Sequence, residues 1–145
     1  MMFCTLVCAV FDKTTHCLEI VNGGHTLPVL IRKSQPPTWA VPALNPALGF
    51  LPGTRFERKE LILTQGDTVV LYTDGVSEAF NRQRERYGNE RLLKSLTASN
   101  GAAASGVVAR LLEDVRTFTN GAPQSDDIAV LVLRLVDPDL AGLNA

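Results

Sequence analysis

At 145 residues, with 46% apolar and 20% charged side chains, the chain suits a single domain able to bury about two-thirds of its unfolded surface. A net charge of −1 gives no basic footprint for nucleic acid or for an anionic membrane. The apolar start over 1–10 lacks a charged leader region and is too short to span a bilayer, so a cytoplasmic protein is expected.

Residues 3–11 read as a buried strand, and Asp12-Lys13-Thr14-Thr15 as a polar turn into a second strand over 17–21. Asn22-Gly23-Gly24-His25 is a further turn and 28–32 a third strand, which predicts an antiparallel meander in the first third. The stretch 34–52 is proline-rich and aperiodic, a long loop with one short strand near Trp39 and a candidate gate for substrate. Segments 56–63 and 68–73 read as two strands paired through the turn Thr64-Gln65-Gly66-Asp67.

From Asn89, a capping residue followed by Glu90, the pattern becomes helical, with Leu92, Leu93 and Leu96 on one face. A second helix carries Val107, Val108, Leu111, Leu112, Val115 and Phe118 at intervals of three and four, and Asn120-Gly121 is its stop signal. A last strand over 128–136 precedes a tail, 137–145. Strands first, two helices late and a returning strand predict an α+β fold with an antiparallel sheet and helices on one face. Cys4, Cys8 and Cys17 are odd in number and lack Cys-x-x-Cys spacing, which predicts buried free thiols in a reducing compartment. Together with His16 they match no common zinc pattern.

Two aspartate motifs fall where the chain leaves or enters a strand. Asp74 follows Val69-Val70-Leu71 and precedes Gly75; Asp126 and Asp127 stand just before the apolar run that starts at Ile128. Hard divalent cations prefer carboxylate oxygens, and strand ends hold such ligands rigidly, so a Mg²⁺ or Mn²⁺ site on one sheet edge is expected. Either motif alone reads more readily as turn aspartates bonding their own backbone. An aspartic protease protomer does not fit, because its motif places Thr or Ser between Asp and Gly, whereas here Thr73 precedes Asp74.

Taken in order, Asn22-Gly23-Gly24-His25, Leu48-Gly49-Phe50-Leu51-Pro52-Gly53, Leu71-Tyr72-Thr73-Asp74-Gly75-Val76-Ser77-Glu78-Ala79, Tyr87-Gly88-Asn89-Glu90-Arg91-Leu92 and Ala122-Pro123-Gln124-Ser125-Asp126-Asp127-Ile128 resemble the SpoIIE-like branch of the metal-dependent protein phosphatases, the type 2C superfamily. The resemblance runs from about Met1 to Leu135. It implies a sandwich of two antiparallel sheets flanked by helices over 1–136, and a binuclear Mn²⁺ or Mg²⁺ site at one end. Carried over by position, Asp74 and Asp126 are metal ligands, with Asp127 supporting them or replacing Asp126. Gly75 allows close backbone approach, His25 braces the site through its turn, and Ser77 and Glu78 either orient metal-bound waters or begin a short helix. No protein nucleophile is needed, since a metal-activated water attacks the phosphate ester.

Family members also carry an upstream Gly-Gly-Asp type segment whose aspartate bridges the metals, and Gly66-Asp67 sits in a different turn. The resemblance therefore implies an N-terminally truncated domain of impaired activity, with uncovered strand edges that favour self-association. The implied substrate is a phosphoserine or phosphothreonine on a regulatory protein of the anti-sigma-factor antagonist kind. The alternative reading is a phosphatase-like binding or regulatory module without turnover.

Overall fold

A computed structural model describes residues 2–41 and 45–137 and shows an α+β sandwich of two antiparallel sheets with helices on one side. Among the described residues six strands, β1 (Leu6–Asp12), β2 (Cys17–Gly23), β3 (Val29–Ile31), β4 (Thr38–Trp39), β5 (Lys59–Ile62) and β6 (Thr68–Tyr72), are followed by three helices, α1 (Asp74–Ser77), α2 (Gly88–Thr97) and α3 (Ala104–Thr119), and a final strand, β7 (Val130–Arg134). One sheet has the order β1-β2-β5 and the other β4-β3-β6-β7.

The central strands β3 and β6 of the second sheet are buried on both faces, and their sequence shows why. Side chains alternate across a strand, so Val29 and Ile31 of β3 point with Val70 and Tyr72 of β6 toward the helices. Leu30 and Val69, opposite each other in the register, point the other way and meet Leu18 and Ile20 of β2. A slip of one residue would exchange these two sets, and burial on both sides penalises that strongly. The helix layer is completed by Leu92 and Leu96 of α2 and by Val107, Leu111 and Val115 of α3, all almost fully buried. Such side chains contribute about 1.5–3 kcal/mol each from apolar burial. Asn120 ends α3 in the left-handed region at φ 46°, its N–H donating to the Arg116 carbonyl.

Several expectations are corrected by this topology. The strands 56–63 and 68–73 do not pair: β5 lies on β2 and β6 lies between β3 and β7. The turn between them carries the chain from one sheet to the other. It is closed by Asp67, whose carboxylate accepts the Thr64 N–H at 3.0 Å and lies 3.5 Å from Arg32 Nε. The predicted meander fails for a similar reason, because β3 crosses to the second sheet after pairing of β1 with β2. A strand apolar on both faces, such as β6, needs neighbours on both edges and cover on both sides, which a local hairpin does not provide.

The first strand begins at Leu6 and is not buried throughout: Cys8, Ala9 and Val10 are exposed, and among the described residues β1 pairs along its length only with β2. Cys4 and Cys8 are exposed free thiols and Cys17 is half-buried, contrary to the expectation of burial. Asn89 does not cap α2, which starts at Gly88. The short strand near Trp39 is present as β4, and residues 138–145 of the expected tail lie outside the described residues. No helix among the described residues is long and apolar enough to cross a membrane.

Candidate functional site

The end of β6 and the loop entering β7 are joined by a single side chain. Thr73 Oγ1 donates to the Asp127 carbonyl at 2.7 Å and accepts the Ala129 N–H at 2.9 Å, while the Thr73 N–H donates to the Ala129 carbonyl at 3.0 Å. These bonds continue the β6·β7 ladder past Tyr72 and Val130, and they hold the acidic loop against the residue that follows. That residue is Asp74, the first of α1.

Gly75 makes the closeness possible. A Cβ placed there would stand 2.4 Å from the Asp127 carbonyl oxygen and 3.1 Å from that of Asp126, well inside van der Waals contact. The requirement is for space, not for an unusual backbone angle. The structure thus sets the Asp74-Gly75 backbone against the backbone of the Asp126-Asp127 loop at one sheet edge, with all three aspartates exposed. Asp126 Oδ1 accepts the Asp127 N–H at 2.7 Å, and the Gln124 amide donates to the Asp126 carbonyl at 2.8 Å, so the loop is internally braced.

The remaining predicted residues stand around this corner. Ser77 donates to the Asp74 carbonyl at 3.3 Å, and the Glu78 N–H donates to the same oxygen at 2.7 Å, closing the one-turn helix α1. The Glu78 carboxylate is 3.2 Å from Arg86. Both residues thus take part in the short helix or in its surroundings. His25 stands in the turn after β2: its Nδ1 is 3.0 Å from Thr5 Oγ1, and its backbone N–H donates to Asn22 Oδ1 at 2.8 Å. Within the same turn, the hydroxyl of Thr26 donates to the Tyr72 carbonyl, two residues before Asp74. Thr26 is the group of this turn that touches the Asp74 strand, and its sequence neighbourhood gives no signal for that. Thr73 was legible only as part of the Thr-Asp-Gly motif.

The donors these two segments offer are hard oxygens: the exposed carboxylates of Asp74, Asp126 and Asp127 and the backbone carbonyls that crowd Gly75. Among the described residues no group of three or more His, Cys, Asp or Glu is gathered as a metal cage. The set fits a cation that keeps much of its own water and completes its shell with substrate oxygens, as Mg²⁺ does. It does not fit a structural zinc site, which is closed by four Cys or His ligands. Beside the carboxylates, a cleft of about 320 Å³ runs from Gly75 along Phe80 and Ile128 to Leu112 of α3.

A family model described as Stage II sporulation protein E (SpoIIE) matches residues 1–136. Protein IcfG of Synechocystis sp. is 31% identical over 132 residues, which is 91% of this chain and 20% of that protein. Among solved structures, the phosphatase domain of the cell fate determinant SpoIIE from Bacillus subtilis superposes with a TM-score of 0.71 at 17% identity, covering 91% of this chain and 56% of that one. The SiaA-PP2C domain of Pseudomonas aeruginosa gives 0.73 at 18% identity, covering 86% and 48%. The chain therefore spans a fifth of its curated relative and about half of these solved domains.

Proposed function

Since the chain belongs to the Stage II sporulation protein E family, we propose that it supplies the carboxylate end of a metal-dependent serine/threonine phosphatase site. The observation that supports this reading is the contact of Gly75 with the Asp126-Asp127 backbone, fastened by Thr73, which sets the chain at Asp74 against the acidic loop. Asp74 and Asp126 would hold Mn²⁺ or Mg²⁺, with Asp127 supporting or replacing Asp126. Such a cation supplies Lewis acidity that activates water at neutral pH and offsets charge on a phosphate ester.

The chain's own residues do the positioning. Thr73 fixes the spacing of the two strand ends, Gly75 lets the carbonyls close in, and Thr26 anchors the last residue of β6 from the neighbouring loop. No side chain here needs to act as a nucleophile. The substrate in this reading is a phosphoserine or phosphothreonine of a cytoplasmic regulatory protein, of the anti-sigma-factor antagonist kind. The test is Mn²⁺-dependent hydrolysis of p-nitrophenyl phosphate and of a phosphoserine peptide, with Asp74→Asn as control. Turnover abolished by EDTA and by Asp74→Asn supports the reading. Saturable peptide binding without turnover at any metal concentration favours a binding module instead.

A further inference from the structure

The hairpin between α1 and α2 is locked by its own backbone and leaves two guanidinium groups without employment. Phe80 and Arg86 form its closing bridge, the Asn81 N–H donates to the Glu85 carbonyl at 3.1 Å, and Asn81 Oδ1 accepts the N–H groups of Gln83 and Glu85 at 3.0 and 2.9 Å. Arg84 takes a left-handed conformation at φ 63°, which the turn requires. The acidic residues of the segment are already engaged: Glu78 pairs with Arg86, and Glu85 Oε2 accepts the Asn81 amide at 2.8 Å. Arg86 also lies over the Phe80 ring at 5.5 Å. Arg82 and Arg84 are exposed, and among the described residues neither forms an ion pair.

Both arginines face a trough. A cleft of about 720 Å³ lies between this hairpin and the loop after α3, with Arg82, Arg84 and Phe80 on one side and Pro123, Gln124 and Ser125 on the other. It shares Phe80 and the 122–125 loop with the smaller cleft that reaches Gly75. The two clefts adjoin through these shared residues and together form a trough with Arg82 and Arg84 at one end and Gly75, the neighbour of Asp74, at the other. Apolar and polar groups line it together, and Arg116 of α3, paired at 3.4 Å with Glu113, is among them.

We propose that this trough seats an acidic polypeptide segment of the phosphorylated substrate, with Arg82 and Arg84 reading carboxylates beside the phosphoresidue; the proposal rests on the phosphatase reading above. The charge pattern selects the occupant. Guanidinium forks match carboxylates in bidentate geometry, and a pre-formed hairpin presents them without a large ordering cost. An acidic flank placed directly on Asp74 and Asp126 would be repelled, so the substrate's negative residues lie toward the hairpin and only the phosphate reaches the corner. Two arginines on a chain of net charge −1 do not make the extended basic surface that nucleic acid requires.

The experiment measures fluorescence anisotropy of two labelled ten-residue phosphoserine peptides in EDTA, one with glutamates around the phosphoserine and one with alanine and serine, against the full chain and R82E/R84E. The expected result is about 10-fold tighter binding of the acidic peptide by the unmodified chain, a difference abolished in R82E/R84E and reduced by 0.5 M salt. R82Q/R84Q, read in the same way, replaces the reversal if that variant unfolds below the assay temperature. Equal binding of the two peptides, or a difference that survives both double variants, would overturn the proposal. Wild-type turnover of p-nitrophenyl phosphate with Mn²⁺ is measured in parallel. Its absence beside intact acidic-peptide discrimination would count against the phosphatase reading and not against the docking trough.

Discussion

Gly75→Ala isolates the contact on which the candidate site depends. The added Cβ would lie 2.4 Å from the Asp127 carbonyl oxygen and 2.9 Å from its carbon, where ordinary contact begins at 3.4 Å. The obstacle is backbone, so no rotamer change relieves it, and the Asp126-Asp127 loop must retreat by about 1 Å. That retreat pulls on the two Thr73 hydroxyl bonds of 2.7 and 2.9 Å. Overpacking of this kind costs about 1–3 kcal/mol, which in a domain of this size lowers Tm by roughly 4 °C per kcal/mol. Ligand placement tolerates only about 0.5 Å, and a 1 Å error can cost about 100-fold in rate. The assay pairs thermal unfolding with Mn²⁺ titration calorimetry and p-nitrophenyl phosphate turnover. A variant with unchanged Tm, unchanged Mn²⁺ affinity and rate within twofold would refute the argument that Gly75 is there to admit the acidic loop.

Thr73→Val keeps the shape of the side chain and removes both hydroxyl bonds, so it is expected to cost about 1–2 kcal/mol and to weaken Mn²⁺ binding, whereas Thr73→Ser retains most of both; equal behaviour of the two variants in urea unfolding and calorimetry would remove the clip from the account. Asp67→Ala takes away the partner of the Thr64 N–H and of Arg32 Nε in a side chain only 3% exposed, and chemical denaturation should read a loss of about 1–3 kcal/mol. Burial pushes the Tyr72 phenol up to about 12, and burial followed by the Asp114 bond raises Tyr87 also. Each holds its proton more tightly folded than unfolded, so their stabilising effect is complete below pH 10, the ordinary tyrosine value, and is lost as the pH climbs toward 12. Urea midpoints should fall across that window and fall less in Tyr72→Phe; a flat wild-type profile contradicts the assignment. The edge of β1 that pairs with no strand among the described residues, with Val10 60% and Ile62 59% exposed on that sheet, is expected to give concentration-dependent self-association, which light scattering on a sizing column checks; a clean monomer throughout the micromolar range would rule it out.

Local chemistry decided much of what is seen. Alternation in 17–21 and the unbroken apolar run of 68–72 specify strands whatever surrounds them, since a pleated chain sorts side chains by parity. The spacing of Val107, Leu111 and Val115 and the Asn120-Gly121 stop specify α3 in the same local way. Asp74-Gly75 and Asp126-Asp127 could likewise be marked as candidate ligands, because each sits at a strand end with the backbone freedom or acidity that a cation site needs.

Strand partnership was a different matter. A four-residue turn closed by Asp67 has the same local sequence whether its flanking strands pair or enter different sheets, and only burial on both faces of β6 separates the outcomes. The outward face of β1 escaped notice because an apolar residue does not record which side of a sheet is covered. Thr26, 46 residues from Tyr72, and Arg82, brought against the 121–125 loop after α3, carry no periodic or motif signal at all. What composition and pattern determined was the set of elements and the chemical type of the corner. Which strand lies beside which, which threonine braces Asp74 and where two free arginines face were decided by tertiary packing, because those contacts join residues whose neighbourhoods in the chain are unrelated.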